Sequence, residues 1–373
     1  MAISELSKNK YVTKKVLVIN PGGSSTKIGI FSVFLKQGHK QNYQISKDFE
    51  TVIRHPVKKL MKFKTIFDQL PYRQSIVEKV INNRQFDCIA TRGGPLKPLK
   101  KGTYQITKKV IDDIKKGHVQ SIHPSLLGPL ISYAIAKQRK IPAYFVDAES
   151  VDEFFPLARF SGLAELPRKS LSHYLNIHAV VQKAAEKLNR RLNECNFIVA
   201  HLGSGITIAA NKKGRQIDAN NANEDGPFSP QRTGSLPLQG VIDICFSGKY
   251  SKQEMLAKIQ RKGGLLSYLG TDDIKEIERR IKNGDKKANL VYNAMIYQIA
   301  KEIGAMLVAL KGKVTAIIIT GGIAHQRMLV NRLKNWLRFI NKPIMVFAGE
   351  EEMSALAEGA GKVILKLKKA QQY

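Results

Sequence analysis

The sequence predicts an α/β protein made of two related domains. Two observations carry this: one strand–glycine turn–strand pattern occurs twice, about half the chain apart, and short buried strands alternate with helices along the rest. The first copy is Val16 to Phe31, VLVINPGGSSTKIGIF. Val16 to Ile19 form a buried strand, Asn20 to Ser25 must turn, and Thr26 to Phe31 resume an apolar, β-branched strand. The second copy runs from the strand Phe197 to Leu202 through Gly203-Ser204-Gly205 to the strand Ile206 to Ala210. A third glycine turn, Gly321-Gly322-Ile323, ends the apolar run Thr315 to Thr320.

The turns carry the chemistry. Gly22 and Gly23 permit close approach, and exposed turn N–H groups form a concavity for an anion. Asn20, Ser24, Ser25, Thr26 and Lys27 surround that tip with donors, which a phosphate requires and a plain turn does not. A GGSS tip taken alone reads as an ordinary hairpin; its repetition turns the reading toward phosphate. Neither copy is a P-loop or a dinucleotide fingerprint, since neither has the G-x-x-x-x-G-K-[ST] or G-x-G-x-x-G spacing. Two such hairpins predict two domains facing one another across a nucleotide cleft. Gly321-Gly322 would offer flat backbone to adenine or ribose.

Composition sets the bounds. The 373 residues, 43% of them hydrophobic, suffice for two cores of comparable size. No apolar run approaches the ~18 residues of a membrane span, and Met1 to Lys15 is polar and lysine-rich without a signal-peptide core, so a cytoplasmic protein without a membrane partner is expected. Cys88, Cys195 and Cys245 are far apart in apolar segments and read as buried reduced thiols. The formal charge of +31 invites a nucleic-acid reading, but the lysines are dispersed rather than gathered with aromatics, so no nucleic-acid partner is expected. A positive field attracting ATP and acidic metabolites fits better.

In chain order, residues 32–73 read as charged strand and turn, Ser75 to Asn83 as a helix, and Asp87 to Thr91 as a buried strand leading into Arg92-Gly93-Gly94. Arg92 at a strand end can meet an anion or lie beside a turn as a surface residue. His123 precedes a helix from about Leu126 to Lys137; taken singly it suits a cap or core position more readily than an anion site. Ala143 to Val146 is a strand with Asp147 at its end, followed by Glu149, Asp152 and Glu153, an acidic group able to hold Mg²⁺. His173 stands before the helix Leu175 to Leu192. Asp218 to Pro237 is a long Gly/Pro/Asn/Ser loop around Arg232, with Phe228 and Leu236 expected to pack it. Leu256 to Ile281 reads as two helices broken at glycines, Ala288 to Leu310 as a long helix, Ile344 to Phe347 as the last strand, and Met353 to Leu367 as a closing helix.

The two hairpins, GPFSPQRTGSLP, SYLGTDDIKEIE, LVYNAMIYQIAKEIGAMLVALKGKV and TGGIAHQRMLV together resemble the butyrate kinases, relatives of the branched-chain fatty acid kinases and acetate kinases. The resemblance covers the chain after Lys14. It implies two duplicated actin-like ATPase (ribonuclease-H-like) domains with a nucleotide cleft between them. Residues 15–150 with 353–373 would form one domain and 151–352 the other, after a polar extension at 1–14. It implies that Asn20 and the Gly22, Gly23, Ser24, Ser25 and Lys27 tip approach the transferred phosphoryl group. Arg92 and Arg232 would bind carboxylate and phosphoryl oxygens, with His123 and His173 beside them. Asp147 and Glu352 would serve Mg²⁺. His201, Gly203, Ser204 and Gly205 would hold nucleotide phosphates, and Gly321, Gly322 and Ile323 the adenosine. Two departures stand out: Leu126 occupies a position that is usually Asn, and Arg92 takes the place of a histidine in the acetate-kinase motif.

The expected reaction is reversible transfer of the ATP γ-phosphate to a short-chain carboxylate, giving acyl phosphate and ADP. Such a carboxylate has a pKa near ~4 to 4.5 and is already a nucleophile at neutral pH, so the demand is for alignment and charge neutralisation rather than for a base. A sugar kinase would instead need a base, for which Asp147 could serve. A non-catalytic ATP-binding switch of the same fold is the alternative. The resemblance also implies a homodimer or a larger even homo-oligomer.

Overall fold

The computed structural model describes residues 11–36 and 43–373. Its contacts divide the chain into two units, one reaching to Asp152 and completed by Glu351–Tyr373, the other Glu153–Glu350. The expected extension at residues 1–14 lies outside the described residues as far as residue 10, and Tyr11 already begins the first strand.

The first unit is built on a six-stranded sheet in the order β3-β2-β1-β4-β6-β5, with β1 Tyr11–Pro21, β2 Ser25–Lys36, β3 Tyr43–Arg54, β4 Cys88–Thr91, β5 Thr103–Gln105 and β6 Ala143–Val146. β1, β2 and β3 form an antiparallel meander, while β4 and β6 continue the sheet in parallel from β1. Side chains alternate across a strand, so Leu17 and Ile19 of β1 enter one core with Ile28, Ile89 and Phe145. Helices α1 Val57–Leu60, α2 Leu70–Ile81, α3 Lys108–Lys115 and α4 Leu127–Arg139 follow the strands, and Val77, Ile111, Leu130 and Ile131 complete that core. The closing helix, Glu352–Ile364, buries Met353, Leu356, Ala357 and Ala360.

The second unit repeats the order with five strands, β11-β10-β7-β8-β9. Here β7 is Asn196–Leu202, β8 Ile206–Lys212, β9 Arg215–Ala219, β10 Ala316–Gly321 and β11 Ile344–Ala348. Again three antiparallel strands continue into two parallel ones. Both faces of β7 are covered: Ile198, Ala200 and Leu202 pack with Tyr292, Met295 and Ile299 of α10 Lys286–Ala309, whereas Phe197 and Val199 pack with Ile177, Val181 and Ala184 of α5 Tyr174–Lys187. A strand buried on both faces is mainly apolar, as Phe197 to Ala200 are here, and its one buried polar side chain, His201, is hydrogen-bonded to Asn176. The remaining helices are α6 Leu238–Phe246, α7 Lys252–Arg261, α8 Gly264–Leu269, α9 Ile274–Lys282 and α11 Arg327–Trp336.

Several local expectations change. Residues 32–73 hold the long strand β3 and the start of α2, which begins at Leu70 because Pro71 fits a first helical turn. The stretch expected to hold two helices holds three, since Ser251 and Asp273 cap separate helix starts on either side of α8. Cys88 and Cys195 are buried as expected, but Cys245 is exposed, because α6 buries none of its residues. Phe228 packs into the core while Leu236 stays exposed.

Candidate active site

The first unit gathers its polar residues where β1 and β4 end. Asn20 is 4% exposed, and its Nδ2 donates to Glu352 Oε2 at 2.8 Å. Arg92, just past β4, pairs with Glu149 and, through Nη1, with Glu352 Oε1 at 3.3 Å. Two carboxylates thus share one guanidinium. His123 caps the short turn before α4: its Nδ1 accepts from the Ser125 N–H at 3.2 Å and lies 3.8 Å from Glu149 Oε2. A ring nitrogen that accepts from an amide carries no proton there, which leaves the imidazole proton on Nε2. Asn20, Arg92, His123 and Glu352 therefore come together, joined by Glu149.

Asp147 follows the end of β6 with φ of 40°, a left-handed conformation Asp tolerates better than most residues. Its Oδ1 accepts from the Gly102 N–H at 2.7 Å, and its own N–H donates to the Gly102 carbonyl at 2.9 Å, so it staples a turn. Leu126, where a polar residue was the usual expectation, is fully buried in the core of this unit. Lys27 stands opposite Asn20 in the β1–β2 ladder. Gly22, Gly23, Ser24 and Ser25 form the tip of that hairpin, closed by the Gly22 N–H donating to the Ser25 carbonyl at 2.7 Å.

In the second unit the imidazoles of His173 and His201 stack with centroids 4.0 Å apart and planes 12° from parallel. His173 Nδ1 lies 2.8 Å from Thr207 Oγ1, and His201 Nδ1 accepts from Asn176 Nδ2 at 2.9 Å. The turn after β7 is closed by the Gly203 N–H on the Gly205 carbonyl at 3.1 Å. The long loop then folds back on this turn: Ser229 Oγ donates to the Ser204 carbonyl and accepts from the Arg232 N–H at 3.0 Å. This brings the Arg232 guanidinium against Gly205 so closely that a Cβ there would fall 2.5 Å from Nη1. Arg168 anchors the loop's start, pairing with Asp218 Oδ1 at 2.9 Å and donating to the Ala219 carbonyl at 2.9 Å. Burial pushes the carboxyl of Asp225, in the same loop, up to about 6.

Gly321 ends β10 with φ of 91°, and a Cβ there would lie 2.3 Å from the Leu202 carbonyl, so only glycine fits. Gly322 opens the short helical turn Gly322–His325 with open space where a Cβ would stand, and Ile323 belongs to the core. Among the described residues, no group of three or more His, Cys, Asp or Glu could hold a metal ion by itself. Sequence reasoning missed Arg73, His55, Asn176 and Thr207, and it read Glu149 only as part of an acidic run. The one signal for Arg73 was its spacing from Gln69, four residues apart and so on one helical face.

The repeated strand order, with a glycine hairpin joining the first two strands of each meander, defines the actin-like, ribonuclease-H-like class in both units. Residues 168–343 match the acetokinase family. The chain is 45% identical to the probable butyrate kinase 2 of Caldanaerobacter subterraneus subsp. tengcongensis, over 94% of this chain and 97% of that one. The chain belongs to the acetokinase family. Its fold is similar to the acetate kinase of Porphyromonas gingivalis and to a propionate kinase of Francisella tularensis subsp. tularensis, each with a TM-score of 0.72, 18% identity, and coverage of 93% of this chain and 99% of the other. Among the described residues, no helix is long and apolar enough to cross a membrane.

Proposed function

We propose that the protein is a short-chain fatty acid kinase, most closely a butyrate kinase, that reversibly transfers the γ-phosphoryl group of ATP to a carboxylate by direct in-line displacement. The observation that carries this is Arg232, held by its own loop against the glycine hairpin of the second unit with its guanidinium at Gly205. A fixed guanidinium beside a phosphate-type turn supplies what phosphoryl transfer needs, worth ~10³ to 10⁵ in rate. Arg92 and His123 take the carboxylate and the phosphoryl oxygens, with Asn20 and the Gly22–Lys27 tip alongside. His201 and Gly203–Gly205 take the nucleotide phosphates, and Gly321–Ile323 the adenosine. His173, stacked on His201, steadies that ring.

Mg²⁺ suits the acidic side of the first unit, where Glu149 and Glu352 both lie against the Arg92 guanidinium. A Mg²⁺ ion needs only one or two carboxylates besides phosphate oxygens and water, and we assign Glu352 that part; Asp147, expected beside it, instead has its carboxylate on the Gly102 N–H. When bound, it neutralises charge on the phosphoryl oxygens. The protein acts in the cytoplasm on soluble acids, as a homodimer or a larger even assembly. The assembly rests on α6: Leu238, Ile242, Ile244 and Phe246 are exposed, and residues 233–248 contain no Lys or Arg in a chain of +31. A stretch without Lys or Arg lowers the repulsion between like-charged copies, and a self-complementary apolar face suits a two-fold contact.

The test is hydroxylamine trapping of acyl phosphate with ATP and Mg²⁺ across acetate, propionate, butyrate, isobutyrate and isovalerate. A maximum at four or five carbons is expected. ATP binding without acyl phosphate from any acid would overturn the reading in favour of a non-catalytic switch.

A further inference from the structure

Arg73 is fully buried on α2, yet every acceptor it reaches among the described residues is neutral. Its Nε donates to Gln69 Oε1 at 3.0 Å. Its Nη1 donates to the carbonyls of Gly22 at 2.8 Å and Ser25 at 3.2 Å, and to Thr26 Oγ1 at 3.3 Å. Its Nη2 donates to the Gly23 carbonyl at 2.8 Å. The remaining carbonyl of the tip, Ser24, accepts from the His55 N–H at 2.8 Å. All four tip carbonyls are thus bound from the protein side.

The geometry of the peptide unit turns this into a statement about the opposite face. In a trans peptide the N–H points away from the C=O, and the described chain has no cis bond. With the Gly22 and Gly23 carbonyls drawn onto Arg73, the N–H groups of Gly23 and Ser24 point away from it. Both residues are exposed, and neither N–H has an acceptor among the described residues. Two outward donors on a turn, backed by a guanidinium that bonds no carboxylate among the described residues, form a receptor for an anion.

We propose that Arg73 is a positioning residue of the phosphoryl-transfer reaction: it holds the carbonyls of the Gly22–Ser25 tip inward, presents the Gly23 and Ser24 N–H groups to the transferred phosphoryl group, and sets a buried positive charge beneath them. The proposal rests on the kinase reading for its reaction, but not for its anion. His55 does not share the charge, since burial and Arg73 push its imidazole down to about 4 and keep it neutral. Lys cannot replace Arg fully, because one ammonium cannot span the Gly22 and Gly23 carbonyls as two guanidinium nitrogens do.

The experiment compares wild type, Arg73→Met and Arg73→Lys by trapping assay, thermal melting and calorimetric titration with tripolyphosphate. Arg73→Met should lose ~100-fold or more in kcat, the scale of a ~1 Å misplacement at a reacting centre, with KM for the carboxylate within about threefold. Arg73→Lys should recover about tenfold of that loss near neutral pH. Its rate should also fall off at a lower pH than in wild type, whose Arg73 stays charged to about 10, because a buried lysine titrates below its ordinary value. A folded Arg73→Met with kcat within about threefold of wild type overturns the proposal. So does a folded Arg73→Lys that matches wild type at every pH, which decides the matter alone if the Met variant fails to fold. If wild type makes no acyl phosphate, the kinase reading fails while the clamp is still tested: tripolyphosphate should bind about tenfold more weakly to the variants, and equal affinity would refute it.

Discussion

The approach of Arg232 to the glycine hairpin of the second unit can be tested with one methyl group. In Gly205→Ala the new Cβ would stand 2.5 Å from Arg232 Nη1 and 2.7 Å from Cζ, against an ordinary contact of 3.4 Å or more. The three nearest atoms all belong to the Arg232 side chain, which is flexible at its far end, so the guanidinium and not the backbone yields. It must withdraw by about 1 Å. A displacement of that size from a reacting centre costs on the order of 10²-fold, or about 2.7 kcal/mol of barrier. Gly205 does not have a positive φ, so alanine introduces no backbone strain there, and the melting midpoint should stay within a few degrees of wild type. The assay is single-turnover acyl phosphate formation with saturating ATP, alongside Arg232→Ala and the double variant. Because Gly205→Ala acts through the guanidinium, it should add little once that group is gone. A folded Gly205→Ala with a rate within about threefold of wild type, or full additivity with Arg232→Ala, would refute the placement of Arg232 as the phosphoryl-binding group.

Two further outcomes follow from the same structure. His55 takes up its proton near 6.5 when unfolded but only at about 4 in the fold, where burial, aided by Arg73, disfavours the charge. Lowering the pH from 6.5 toward 4 therefore favours the unfolded chain by up to about 3 kcal/mol, and the stability is recovered above 6.5; denaturant melts across this window should show the loss, and His55→Gln should flatten it. On α6, Phe246→Glu combined with Ile242→Glu should reduce the light-scattering mass to that of a monomer without lowering the melting midpoint of that monomer, since neither side chain is buried in one chain. An unchanged mass would exclude this face as the contact.

Legibility varied with the kind of force involved. Strands were readable where burial on both faces makes the code local: Ala143–Val146 is an unbroken apolar run and Phe197–Leu202 is interrupted only by His201, and both lie where the pattern puts them, the latter starting one residue earlier. β3 lies in the stretch read as charged strand and turn, but its ends were not marked, because an edge strand facing water alternates polar residues that read equally well as loop. The exposure of Cys245 was hidden for the opposite reason. LQGVIDICF has the composition of a core helix, and only tertiary structure shows that, among the described residues, no element covers it. At the candidate site, residues adjoining glycine turns were found because the turns mark themselves. Thr207 and Asn176 were missed because a hydroxyl or amide that orients a histidine carries no motif, only a position in space.

The two units also show why only one of the two hairpin-bound arginines could be read. Both tips are tied to a guanidinium, but through different atoms of the turn. Arg232 meets Gly205 at the position of its missing Cβ, within a loop whose Gly, Pro and Ser content announces irregular, functional backbone. Arg73 meets Gly22 and Gly23 through their carbonyls, from the buried face of an ordinary helix. A charged residue there normally signals a solvated helix face, and no carboxylate stands three or four residues away to reveal it, since Asp68 and Glu78 are each five residues off. Its partners are backbone oxygens, which every residue has, so the sequence holds no record of them. One tip is therefore tied by a side chain that its own loop brings round, and the other by a helix whose guanidinium fixes the direction of the turn's peptide groups.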